Sequence, residues 1–140
     1  MREKRVNEIE GKEKRIQKLP EAELDVMLVI WKLNRPAKII DIFEGLKQVH
    51  PLSKSAIHTL VDNLLKREFI KIEYSPDKQS YKMISPLVSE DEYRAVEADS
   101  FVSKLCRGKW QNLITALVDT NEISDEDLEE LTSLLNKKGE

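Results

Sequence analysis

The feature that most constrains this fold is a change of hydrophobic period along residues 20–84. Three successive stretches repeat apolar residues at intervals of three and four, the spacing of one helix face. Pro36 and Pro51 lie in the breaks between them, and Ser53 is placed to cap the third stretch. The apolar positions are Leu24, Met27, Leu28 and Trp31, then Ile39, Ile42, Phe43 and Leu46, and finally Ile57, Leu60, Val61 and Leu64. These stretches predict three short helices.

The chain then changes to the alternation of a β-strand. Ile70, Ile72 and Tyr74 alternate with charged residues, and a second alternating stretch covers residues 81–84. The segment 75–79 between them is rich in turn-forming residues. Three helices followed by a hairpin is the element order of a winged helix-turn-helix domain. The sequence therefore predicts a mainly α fold with a small β-hairpin wing.

Composition divides the chain into three parts. Residues 1–18 carry seven Lys/Arg against four Asp/Glu and few apolar residues, which favours a charged N-terminal arm over a loosely held extra helix. Residues 19–86 make up the predicted winged-helix domain. Residues 87–140 are helical in pattern and strongly acidic, with six Lys/Arg against thirteen Asp/Glu from residue 89 onward. We expect this last part to be a separate helical domain.

The segment 87–140 predicts three further helices. Ser89 with Glu92, and Ser124 with Asp127, have the spacing of capping boxes, and Gly108 is placed to end the first of these helices. Three short helices bury little apolar surface by themselves, so a segment of this size commonly needs a partner. We therefore expect a homodimer. The residues predicted to form its interface are Phe101, Leu105, Leu113, Leu117, Leu128, Leu131 and Leu135.

Several classes of function find no support in the sequence. The longest apolar run, residues 26–31, is far shorter than the roughly 20 residues that span a bilayer, so we expect a soluble cytoplasmic protein without membrane insertion. No zinc-protease motif, Gly-rich phosphate loop or G-x-S-x-G elbow is present, which argues against an enzyme. The acidic clusters 90–92 and 125–127 begin predicted helices, where carboxylates stabilise the helix dipole. We therefore predict no metal and no other cofactor.

The third predicted helix carries candidate DNA-reading side chains. An isoelectric point near 5.6 excludes a uniformly basic nucleic-acid binder, but residues 47–71 are locally positive. Polar groups on the first turns of such a helix meet base edges, and nearby cations meet phosphates. The predicted DNA-contacting residues are Lys54, Ser55, Ala56, His58 and Thr59 on the helix, Lys66 and Arg67 at its end, and Lys78 and Lys82 on the wing.

Three segments of the chain resemble a known family. They are residues 19–31 (LPEAELDVMLVIW), 53–64 (SKSAIHTLVDNL) and 101–105 (FVSKL). These segments resemble the penicillinase repressor family, the regulators of the BlaI, MecI and CopY type. The resemblance covers about residues 19–137, and its most specific parts are residues 23–31 and 57–60.

The resemblance implies a dimeric winged-helix repressor that binds a palindromic operator and blocks transcription, with a role in antibiotic resistance. In β-lactam-responsive members, a membrane sensor protease signals cleavage of the repressor just before a phenylalanine of the dimerisation domain. The matching bond here joins Ser100 to Phe101. The copper-responsive members carry a paired-cysteine motif, and the single Cys106 of this chain argues against copper sensing.

Two functions from different classes remain open on the sequence. The leading hypothesis is a homodimeric repressor whose third helix reads bases in double-stranded DNA. The alternative is a winged-helix module that binds another protein, with the acidic C-terminal half as its contact surface, because winged helices also occur in protein contacts.

Overall fold

The computed structural model describes residues 16–76 and 81–139. These residues form six helices and two strands: α1 (Glu21–Leu33), α2 (Ile39–Leu46), α3 (Lys54–Lys66), β1 (Ile70–Tyr74), β2 (Lys82–Pro86), α4 (Glu90–Leu105), α5 (Trp110–Asp119) and α6 (Asp125–Gly139). The chain divides into two compact units between Val96 and Glu97. The predicted winged helix with a helical C-terminal part is confirmed, whereas most of the predicted N-terminal arm lies outside the described residues.

The helix ends follow local sequence signals. Pro20 precedes α1, where its missing N–H costs no hydrogen bond, and Asn34 ends the helix in the left-handed region with φ 57°. Ser53 caps α3, because its hydroxyl accepts a hydrogen bond from the Ala56 N–H at 3.1 Å. The N-cap role predicted for Ser53 is therefore confirmed.

The two strands form an antiparallel hairpin, which we call the wing. Its register runs from Ile70 opposite Pro86 to Tyr74 opposite Lys82. Ala37, just before α2, exchanges two backbone hydrogen bonds of 2.8 Å with Ile84 of β2. The wing follows α3 in the chain. These hydrogen bonds also hold it against the segment between α1 and α2.

The core of the first unit is drawn from α1, α2, α3 and the wing. Met27, Ile42, Ile57 and Ile84 have no accessible surface. At Gly45 of α2, an added Cβ atom would lie 2.7 Å from Cγ1 of Val29 on α1, so only glycine permits this approach of the two helices without displacement. The close packing fixes the position of α2 against α1.

The first turns of α4 pack with the first unit through Tyr93. This residue is 3% exposed, and its hydroxyl accepts a hydrogen bond of 2.8 Å from the Leu19 N–H. Its ring lies 5.9 Å from the Trp31 ring and 5.8 Å from the Phe69 ring. The sequence pattern grouped Tyr93 with the C-terminal helices, because a helical stripe does not indicate which core it enters.

The second unit contains the end of α4 together with α5 and α6. Ser124 and Asp127 form the predicted capping box, with both hydrogen bonds at 3.1 Å, and Ser89 and Glu92 form the other at the start of α4. Gly108, which the sequence places at the end of this helix, follows α4 and adopts φ 77°. Glycine adopts this left-handed conformation at helix ends without a steric cost. Cys106 is the one buried side chain among the described residues of this unit. Within residues 16–76 and 81–139, no helix combines the length and apolarity needed to cross a bilayer.

Candidate nucleic-acid interface

The first turns of α3 present polar side chains to solvent. Lys54, Ser55, His58 and Thr59 are exposed and Ala56 is half-buried, whereas the opposite face of the helix enters the core. The Thr59 hydroxyl donates to the Ser55 carbonyl oxygen at 3.4 Å, an arrangement that leaves its oxygen free to accept. The five residues predicted to read bases therefore share one outward-facing surface of this helix.

An open groove of about 500 Å³ lies between this surface, the start of α2 and the wing. We call it the basic groove. Its described lining residues are Lys38, Ile39, Ile40, Lys54, His58, Tyr74, Tyr81 and Lys82. None of these is acidic, and three are lysines. The groove therefore attracts anions, while its isoleucine and tyrosine side chains supply apolar contact surface.

Two lysines that line the groove lie over aromatic rings. The Lys38 ammonium is 4.4 Å from the centre of the Tyr81 ring, and the Lys54 ammonium is 5.4 Å from that of the Phe43 ring. These contacts restrict the lysine side chains without neutralising their charge. The lysines thus keep the charge needed to bind a phosphate.

Sequence reasoning identified only part of this groove. It found Lys54, His58 and Lys82, but it did not identify Lys38, Tyr74 or Tyr81, which the tertiary structure brings beside them. Periodicity within one helix or strand does not indicate which elements meet. The turn residue Lys78, a predicted wing contact, lies outside the described residues.

The two cations predicted at the end of α3 differ in their surroundings. Lys66 is exposed, whereas Arg67 donates to Glu23 of α1 at 2.7 Å and to Gln17 at 2.7 Å. Glu23 is only 4% exposed and also accepts a hydrogen bond of 3.3 Å from Asn63. Arg67 is thus engaged in a partly buried polar network, in which it compensates the charge of Glu23.

The sequence itself indicates that the Glu23 carboxylate needs a partner. Glu23 stands three and four positions before Val26 and Met27, on the buried face of α1, so a carboxylate there requires a partner. The sequence predicts Arg67 as a phosphate contact, because the pattern of one helix does not indicate a partner on another helix.

An ion pair fixes the start of α2, beside the basic groove. Arg35 donates to Asp41 at 3.0 Å, and the Lys38 backbone N–H donates to the same carboxylate at 2.9 Å. The hydrogen bond from Arg35, followed by that from Lys38, lowers the pKa of Asp41 below its usual value. The ionised Asp41 therefore holds the backbone of Lys38, whose side chain lines the groove.

The residues predicted for the dimer lie on the second unit and keep much of their surface exposed. Phe101 is 43% and Leu105 72% exposed, and Leu135 is 51% exposed. The half-buried members of the predicted set are Leu113, Leu117, Leu128 and Leu131. Trp110 and Leu134, which sequence reasoning did not assign to the interface, are 53% and 55% exposed. The predicted cleavage bond, Ser100 to Phe101, lies within α4.

No cluster of metal-ligating side chains occurs within the described residues. The acidic cluster 125–127 begins α6, where Asp127 accepts the Ser124 N–H at 3.1 Å. Its position there agrees with the capping and dipole role expected from the sequence.

The sequence matches of this chain to known proteins agree on one family. The family model described as penicillinase repressor matches residues 19–137. The methicillin resistance regulatory protein MecI of Mammaliicoccus sciuri is 30% identical over 84% of this chain and 92% of that protein, and the penicillinase repressor of Staphylococcus aureus is 30% identical over 82% and 88%. The solved structure of the Bacillus licheniformis BlaI monomer in complex with the blaP half-operator aligns at 24% identity over 56% of this chain and 92% of that one, with a TM-score of 0.47. On the extent of the sequence matches, the chain belongs to the penicillinase repressor family.

Proposed function

We propose that this protein is a homodimeric DNA-binding transcriptional repressor that binds a palindromic operator. The observation that carries the proposal is the basic groove, in which three lysines and the polar face of α3 converge with no acidic side chain among the described lining residues. A duplex presents phosphates on both sides of its major groove, so a helix flanked by lysines fits it.

The contacts divide into positioning and reading. Lys38, Lys54 and Lys82 surround the helix surface and would hold phosphates, which fixes register without selecting a sequence. Ser55, His58 and Thr59 are exposed on the first two turns of α3, where they would meet base edges. Lys66 is exposed near the helix end and would add a further phosphate contact.

The dimer is supported by the apolar surface of the second unit. Leu105, Leu134 and Leu135 are more than half exposed, and a helical unit with one buried side chain among its described residues gains stability by covering them. A symmetric dimer would place two copies of α3 about 34 Å apart, or a multiple of that distance, on one face of the duplex. This geometry requires an operator with two-fold symmetry.

Proteolytic inactivation is proposed at the bond between Ser100 and Phe101, through a membrane sensor protease system of the kind that the family resemblance implies. The bond lies in α4, after the turns that pack through Tyr93 and before α5 and α6. Cleavage there would disconnect the DNA-reading helix α3 from all the residues of the proposed dimer interface, which begin at Phe101. The two DNA-binding units would then no longer be linked, and the operator affinity gained from their linkage would be lost.

Salt dependence separates this function from the protein-interaction alternative. A duplex selected from a random pool is titrated with the full chain while fluorescence anisotropy is recorded at several salt concentrations. The slope of log affinity against log salt should be about −0.9 for each phosphate contacted. A protein-interaction module would select no duplex, and that result would refute the proposal.

A double variant locates the binding surface. We expect Lys54→Ala with His58→Ala to lose preference for the selected duplex while circular dichroism and thermal unfolding stay unchanged, because both side chains are exposed. Lys32→Ala, an exposed lysine in the last turn of α1, is the matched control and should bind like the wild type. Full sequence preference in the double variant would place recognition on another surface.

A further inference from the structure

His58 of α3 is in contact with Lys82 of the wing. The Lys82 ammonium nitrogen lies 3.3 Å from Nδ1 of the His58 ring. Lys82 is the first residue of β2, opposite Tyr74, and both His58 and Lys82 line the basic groove. The contact therefore joins the proposed reading helix to the wing at the edge of the groove.

The chemistry of the two groups fixes the direction of this hydrogen bond. A lysine ammonium carries three donors and no acceptor, so Nδ1 of His58 has to accept. A neutral imidazole whose Nδ1 accepts carries its proton on Nε2. In this contact His58 therefore presents an N–H donor at Nε2 on the exposed surface of α3.

A donor at this place selects for an acceptor on DNA. In the major groove the purine N7 atom, guanine O6 and thymine O4 accept hydrogen bonds, whereas the exocyclic amino groups of adenine and cytosine donate. Every base pair contains one purine N7 that faces this groove. The N7 atom is therefore the acceptor that Nε2–H of His58 can meet at any sequence.

We propose that Lys82 is a positioning residue that holds His58 in its Nε2–H form, and that His58 donates to a purine N7 of the operator. The inference rests on the DNA binding proposed above and adds to it the atom that is read. Lys82 acts in this step through His58 and not only through a phosphate.

The first test uses the free protein. Nitrogen-15 NMR of the histidine rings at about pH 8, where an ordinary imidazole is neutral, distinguishes a protonated from an unprotonated ring nitrogen. We expect His58 to carry its proton on Nε2 in the wild type and in Lys82→Arg, which keeps the donor. Lys82→Met should shift part of the population to the Nδ1–H form. A wild-type ring protonated on Nδ1, or a proton distribution that Lys82→Met leaves unchanged, would overturn the positioning role.

The second test uses the duplex selected by the full chain. Each purine of one half-site is replaced in turn by its 7-deaza analogue, which lacks the N7 acceptor. We expect one position at which the replacement weakens wild-type binding about threefold to tenfold, the effect of one lost hydrogen bond. In His58→Ala the natural and 7-deaza duplexes should bind equally at that position.

The ratio of affinities for the natural and 7-deaza duplexes separates positioning by Lys82 from a phosphate contact. Lys82→Met should reduce this ratio toward one, and Lys82→Arg should restore it. A lysine that only contacts phosphate would weaken both duplexes equally and leave the ratio unchanged, which would overturn the positioning role.

The failures of the two proposals are distinguishable. A specific duplex with no N7 position that depends on His58 would overturn the reading proposal alone. Failure to select any duplex would overturn it together with the proposed function.

Discussion

The two units of the chain differ most in how much apolar surface each buries by itself. In the first unit, Met27, Ile57 and Phe69 are at most 1% exposed and pack together with helices and the wing. In the second, Cys106 alone is buried among the described residues, while Leu105 remains 72% exposed. Equally clear helical stripes in the sequence thus lead to different outcomes. A stripe indicates which face of a helix is apolar, but not whether its own chain or another one covers that face.

The largest expected effect is on the core of the first unit. Phe69→Ala removes a ring that is 1% exposed and should lower the free energy of unfolding by about 3–5 kcal/mol. Phe101→Ala, at a ring that is 43% exposed in the second unit, is the matched comparison and should cost the first unit little. Urea unfolding followed by tryptophan fluorescence and circular dichroism measures both. Equal losses would contradict the difference between the units.

The next effect concerns association. Leu135→Asp places a charge on a side chain that is 51% exposed in the second unit, and we expect the dissociation constant of the proposed dimer to rise more than tenfold. Leu28→Asp, at a leucine that is 44% exposed in the first unit, serves as the control and should leave the dimer intact. Sedimentation equilibrium measures the two constants. If only Leu28→Asp weakened the dimer, the interface would lie on the first unit and the prediction for the second unit would be wrong.

A smaller loss is expected from the polar network inside the first unit. Glu23→Gln removes the charge that pairs with Arg67 and should lower the free energy of unfolding by about 1–3 kcal/mol, because the guanidinium keeps a weaker partner. Glu21→Gln, at an exposed acid in the same first turn, should change stability by less than about 0.5 kcal/mol. Thermal unfolding at neutral pH measures the difference. Equal effects would mean that burial of Glu23 does not matter.

The smallest effect concerns the start of α2 and depends on pH. Asp41→Asn should lower stability at neutral pH by about 1 kcal/mol, because Asp41 satisfies the Lys38 N–H and pairs with Arg35. The pKa of Asp41 is lowered in the folded protein, so its contribution is present above about pH 4 and disappears as pH falls through the lowered value.

The pH series has a matched control in an exposed pair. Asp91→Asn breaks an ion pair with Arg94 whose side chains are 92% and 63% exposed, and it should have no measurable effect at any pH despite the 2.7 Å distance. Unfolding of the wild type and both variants is followed from neutral to acidic pH. A difference between the wild type and Asp41→Asn that grew as pH fell would reverse the predicted sign.

Local sequence signals were sufficient for the elements and their ends. The period of the apolar residues predicted three helices, a hairpin and three helices, and the capping residues Ser53, Ser89 and Ser124 were identified because their partners stand within three positions in the chain. Such interactions are encoded by neighbouring residues.

Contacts between distant elements were not predictable in this way. Tyr93 bonds to Leu19 across 74 positions, Arg67 to Glu23 across 44, and Lys82 to His58 across 24. Each pair depends on how elements cross, which a single sequence without relatives does not specify. The exposed face of α3 could be identified from the sequence, because it belongs to one helix. Identifying Lys38, Tyr74 and Tyr81 as part of the basic groove required the tertiary structure.

Recognition of DNA through α3 and the basic groove is tested by mapping the DNA-binding surface residue by residue. The nitrogen-15-labelled full chain is titrated with its selected duplex, and amide chemical shifts are followed by NMR. We expect the largest changes on the first turns of α3, the start of α2 and the beginning of β2, around Lys54, Lys38 and Lys82. Changes concentrated on α1 or α6, with α3 unaffected, would contradict it.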